Sequence, residues 1–110
     1  MPTIFKPVDL PVKEQDGVVH TTLADGAMLG TNALHVERIT LEAGKAAPTA
    51  GAADAERFIY VIRGAGQAHV AGEIYPLGPE SVLWIDPGEA CVLEAGAEGL
   101  EVLACRAPAG

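Results

Sequence analysis

Basic residues are scarce in this 110-residue sequence: seven Lys and Arg stand against fifteen Asp and Glu, a formal charge of −8. Such a chain repels phosphate backbones and has no clustered cationic face to release counterions, so nucleic acid is not an expected partner. Long apolar runs are missing too. None approaches the roughly 18 residues of a membrane-spanning helix, and no membrane association is expected. The only cysteines are Cys91 and Cys105. With no C-x-x-C spacing, they read as reduced thiols that pack as small apolar side chains. The opening MPTIFKPVDLPVKEQ has neither a basic start with an apolar stretch behind it nor a small-residue cleavage site. No signal peptide is expected, and the expected compartment is the cytoplasm. No segment sustains an apolar stripe of helical period over about ten residues, so helices contribute little.

What is present is a globular composition, 49% apolar and 20% charged, which excludes a disordered, solvating polymer. The length suits one domain, residues 1–110, with one proper core. Residues 1–17 hold Pro2, Pro7 and Pro11 among apolar neighbours, a pattern for an extended arm or edge strand, because proline cannot donate to a central ladder. From Val18 onward short apolar or β-branched runs alternate with turn residues: VVHTTL, ALHVERITL, RFIYVI, QAHVA, SVLWI, ACVLEA and LEVLACRA. Regular punctuation of this kind predicts an all-β sandwich or small barrel. The pieces GAG and GAEG are expected to be hairpin turns, since no helix follows them to make a phosphate loop. Alternation places Arg57, Ile59, Val61 and Arg63 on one face and Phe58, Tyr60 and Ile62 on the other. With both faces apolar, one is expected to fill the barrel and the other to pack on a second sheet or a second subunit, which predicts a homodimer.

The order of turns and strands from Leu41 to Ala95 resembles a small single-domain cupin. That resemblance implies a double-stranded β-helix, the jelly-roll or RmlC-like cupin barrel, with a core over 33–107 and an extended N-terminal arm. The family's first motif, G-x5-H-x-H-x3-4-E-x6-G, is matched at its ends by Gly44 and Gly64, with FIYVIRG on its closing strand. LWIDPGEACVLEA follows the rhythm of the second motif, with Gly88 at the inner glycine. The implied metal ligands are absent: Ala50 and Ala52 stand at the histidine positions, Arg57 at the carboxylate and Cys91 at the second motif's histidine, while a one-residue shift puts Glu56 in place of Arg57. Alanine offers no donor atom and a guanidinium repels a divalent cation, so no metal and no cofactor are expected.

Two readings of the arginines stay open. If Arg57 and Arg63 both face the interior, they form with Ile59, Val61 and Cys91 a cationic pocket for a carboxylate or other small anion, with Tyr60 available for stacking. Alternatively, Arg57 pairs with Glu56, Asp54 or Asp86 at the rim and Arg63 lies in solvent. A reactive Cys91 would need a cation such as Arg57 beside it; otherwise it is an inert buried thiol. His20, His35 and His69 share no compact ligand spacing, and His69 in QAHVA is expected to point outward. A rebuilt metal site would have to draw on His35, Glu56 and Cys91. The expected function is metal-free binding of a small apolar or anionic molecule in the barrel. The alternatives are an isomerase, lyase or cyclase using Arg57, Tyr60, Cys91 and Glu56, and a structural or regulatory dimeric module that docks a protein through Phe58, Tyr60 and Ile62.

Overall fold

In the computed structural model, residues 12–24, 35–48 and 55–108 are described. Most of the expected N-terminal arm and the positions of Ala50, Ala52 and Asp54 lie outside them. Eight strands form: β1 (Val12–Gln15), β2 (Val18–Ala24), β3 (His35–Leu41), β4 (Ala46–Pro48), β5 (Ala55–Val70), β6 (Glu73–Leu77), β7 (Val82–Ile85) and β8 (Cys91–Pro108). All pairings are antiparallel, and the described residues contain no helix long and apolar enough to cross a membrane. The part of the expected arm that is described is an edge strand: β1 turns back into β2 through Asp16 and Gly17, whose φ values of 54° and 83° are those of a tight primed hairpin turn.

The main departure from the sequence-based expectation concerns the two glycine-rich pieces. Neither GAG nor GAEG reverses the chain. Gly64–Gly66 lies inside the 16-residue β5, and Gly96–Gly99 inside the 18-residue β8. The two stretches meet: Gly64 pairs with Leu100 and Gly66 with Ala95, so Ala65 alone faces residues 96–99. A bulge of this size bends both strands at the same level. Gly64 and Gly99 take φ of +85° and +80°, which L side chains rarely adopt. A Cβ on Gly64 would collide with the Gly99 carbonyl, and one on Gly66 with the Glu94 carbonyl.

Because β5 and β8 bend together, each serves two sheets. Their outer halves, the start of β5 and the end of β8, join β7, β3, β2 and β1; their other halves join β4 and β6. The two sheets share one core. Ile39, Leu41, Ile59, Val61, Ile85 and Val102 from the first meet Ala47, Ala68, Val70, Leu77, Leu93 and Ala95 from the second. Burying each large aliphatic side chain contributes about 1.5–3 kcal/mol.

A second register shift falls between Val61 and Arg63. It breaks the alternation expected to carry Arg63 onto the face of Ile59 and Val61. Arg63 is turned outward instead, its side chain 76% exposed, with Nε 2.9 Å from Glu101 Oε1.

Gly64→Ala is expected to destabilise the fold by about 3 kcal/mol or more, through both the left-handed backbone and the collision with Gly99. A urea midpoint within error of the wild type would contradict the crossing described here.

Candidate functional site

Arg57 begins the inward face of β5. It pairs in register with Ile85 on one side and Arg106 on the other, and only 5% of its surface is exposed. Its guanidinium donates to the carbonyl of Glu89. That carbonyl belongs to the DPGE turn, in which Glu89 N donates to Asp86 O and Asp86 N donates to Glu89 Oε1. Arg57 therefore ties the turn ahead of β8 to the interior of the first sheet, and brings its charge to the segment just before Cys91. Cys91 is buried, pairs in register with Val70 and shares the core with Ile59 and Val61. Four of the expected pocket residues, Arg57, Ile59, Val61 and Cys91, thus face inward.

The other two do not. Arg63 points away as described, and borders a depression of about 420 Å³ lined also by Thr40, Glu98 and Glu101. Tyr60 lies on the outer face of β5, between Leu103 and Val82. The two arginines do not converge.

A cavity of about 740 Å³ lies elsewhere in the bowl. Strands β1, β2 and β3 form one wall, and Gly44–Pro48 with β4 forms the other. Val12, Val18, Ala47 and Pro48 supply apolar surface, and His20, Thr22 and Glu37 the polar groups. The strand register explains why these three converge: His20 pairs with Ile39 and Thr22 with Glu37, so all share the inward face of neighbouring strands. His20 Nδ1 lies 3.4 Å from Glu37 Oε1, and Glu37 is buried. Lys13, the register partner of His20, and Lys45 also line the cavity. Sequence reasoning missed this set, because His20 and Glu37 stand 17 positions apart and only the β2–β3 register joins them.

The metal implied by the cupin resemblance does not fit the described residues. Arg57, which the resemblance puts at the carboxylate position, is buried, and no group of three or more His, Cys, Asp or Glu among the described residues is placed to hold an ion. The rebuilt set is not assembled either: His35 pairs with Arg106 at the start of β3, Cys91 lies in the core and Glu56 is exposed. His69 points outward as expected, its Nε2 3.4 Å from Glu94 Oε1, while Gln67 Nε2 donates to the same oxygen at 2.6 Å.

Comparison with known proteins agrees with this architecture. The pattern of the AraC-like ligand-binding domain family matches residues 49–105. The fold is similar to that of KdgF from a Halomonas species, at TM-score 0.79 and 16% identity over 100% of this chain and 96% of that one. It is also similar to a predicted oxalate decarboxylase from Thermotoga maritima, at TM-score 0.80 and 19% identity over 96% and 99% of the two chains. An RmlC-like cupin from Shewanella frigidimarina stands at 0.76 and 16%, over 99% and 93%. No curated protein is similar enough in sequence to count as a relative. Identities this low establish the fold alone: the all-β, cupin-type barrel expected from the sequence is the one observed.

The hydrogen bond from Gln67, followed by that from His69, holds the Glu94 carboxyl below the usual carboxylate range. A carboxyl lowered on folding contributes stability that is present above its unfolded pKa and is lost as pH falls through its folded one. Gln67→Ala is therefore expected to move the Glu94 titration upward, as followed by carboxyl-carbon NMR. An unmoved titration would show that Gln67 does not set it.

Proposed function

The chain belongs to the AraC-like ligand-binding domain family, and from that premise we propose that it binds a small molecule in the cavity above His20 and Glu37. One observation carries the reading. A concave site of about 740 Å³ gathers an apolar wall and a few convergent polar groups, the usual make-up of a ligand pocket. Binding there needs no metal, since every named group acts through hydrogen bonds and charge. Arg57 then serves as the internal tie to Glu89 that holds one end of the bowl in shape. The cytoplasm remains the compartment this reading assumes.

A second reading is favoured by the His20–Glu37 pair. A carboxylate on Nδ1 orients an imidazole and leaves Nε2 for proton transfer, so the same cavity would host an isomerase or lyase. Turnover, as opposed to simple retention, of a bound acid separates the two.

We also propose that the chain is a homodimer through the outer face of the first sheet. Phe58 and Trp84 stack there with ring centroids 5.9 Å apart, beside Tyr60, Ile62, Val82 and Leu103. Trp84 and Val82 are 57% and 63% exposed. An apolar patch of this kind is a hallmark of an interaction surface. Burial also raises the pKa of Cys105 on the same face, which makes it a poor nucleophile near neutral pH.

Two outcomes are expected. Amide NMR titration with a panel of small acids and polyols should move His20, Thr22, Glu37 and Ala47 first; shifts confined to the outer face, or none at all, would overturn the binding reading. Light scattering should give twice the chain mass for the wild type and the single chain mass for Trp84→Lys, whereas a monomeric wild type would contradict the dimer.

A further inference from the structure

The sign and placement of charge around the cavity say more about its ligand. The sequence contains only three lysines, Lys6, Lys13 and Lys45, in a chain of net charge −8, and two of the three line this cavity. Lys13 comes from β1, directly across from His20, and Lys45 from the segment before β4. Both line the cavity, and the Lys45 side chain reaches across to the β1–β2 turn, beside Asp16 and Gly17. Asp16 also lines the cavity, with Lys45 Nζ 4.0 Å from its Oδ1. Its side chain is 91% exposed, so this pair is held weakly and is readily exchanged for another anion.

Deeper in, the sign reverses. Glu37 is the buried acid of the cavity, and one of its oxygens faces His20 Nδ1. A plain anion drawn in by the lysines would meet this carboxylate and be repelled. A ligand satisfies both ends only if it presents an anionic group to Lys13 and Lys45 and a hydrogen-bond donor to Glu37, with Thr22 beside it. Val12, Val18, Ala47 and Pro48 leave room for a short carbon skeleton between the two.

We propose that the cavity is specific for a small carboxylate that carries a hydroxyl or ammonium group near the acid. The lysines receive the carboxylate, Glu37 accepts from the donor group, and His20 keeps Glu37 in place. This specificity rests on the proposed function and deepens it, because a cavity that binds only neutral molecules would satisfy that function and not this assignment.

The test uses the full chain and four probes matched in carbon number: succinate, malate, aspartate and erythritol. Calorimetric affinities are read together with amide shifts at His20, Thr22 and Glu37, at fixed ionic strength. Malate or aspartate is expected to bind at least about tenfold more tightly than succinate, since a hydrogen bond to a charged group separates them. Which of the two is tighter identifies the donor as hydroxyl or ammonium. The double variant Lys13→Ala, Lys45→Ala should weaken that ligand about tenfold or more and flatten its salt dependence. Glu37→Gln, nearly unchanged in shape, should bind succinate better than the wild type and lose most of the preference. A merely structural role for Glu37 would not improve succinate. Wild-type amide dispersion in each variant confirms folding. Tighter binding of erythritol than of any acid would overturn the assignment while leaving the cavity a binding site. Equal affinities for succinate, malate and aspartate, or an unaffected lysine double variant, would also overturn it, and the absence of binding by all four would overturn assignment and function together.

Discussion

The shape of the molecule depends on a close approach of backbone to backbone, where Gly64 and Gly66 of β5 cross the Gly99 and Glu94 carbonyls of β8. No side chain fits in that gap. The constraint lets the two longest strands bend at one level without losing their pairing, so each passes from one sheet into the other. Were they straight, their two halves would lie in one flat sheet and Leu93 and Ala68 could not share a core with Ile39 and Val102. The bowl results from the bend, and its cavity from the bowl.

Within that bowl, apolar and polar residues are partitioned by register. The fully buried aliphatic residues sit where β3, β5, β7 and β8 bring the two sheets face to face. Towards β2 and β1 the inward positions are instead His20, Thr22 and Lys13, which face the thinner wall made by β4. The core thus closes on one side and opens on the other. Charge obeys the same division: Arg57 is turned inward to the Glu89 carbonyl in the closed part, and the lysines border the open part. A chain rich in acid can in this way present a local positive field to a small anion while its surface as a whole stays negative.

Much of the fold was legible in the sequence because strands announce themselves through period-two alternation and turn residues. Ala68, Val70 and outward His69 in QAHVA were readable on those grounds, and so was the grouping of Arg57, Ile59 and Val61 on one face, but with both faces apolar the alternation did not say which one turns inward. Arg63 was not: one extra residue after Val61 inverts the facing of Arg63, and nothing in RFIYVIRG marks it. The same blindness applied to GAG and GAEG, since glycine permits a reversal and a crossing equally well and only the partner strand decides. The cavity set was hidden for a related reason. Local pattern can place His20 on a face of β2, but its nearness to Glu37 is a property of strand pairing, and their sequence separation carries no signature of it.

The most direct measurement is a crystal structure of the untagged protein at a resolution that shows ordered small molecules. The account predicts Gly64 packed on the Gly99 carbonyl, an open cavity with His20 Nδ1 against Glu37, and density for a small molecule or ordered water between Glu37 and the lysines. A cavity plugged by the protein's own side chains, with His20 and Glu37 turned apart, would contradict it.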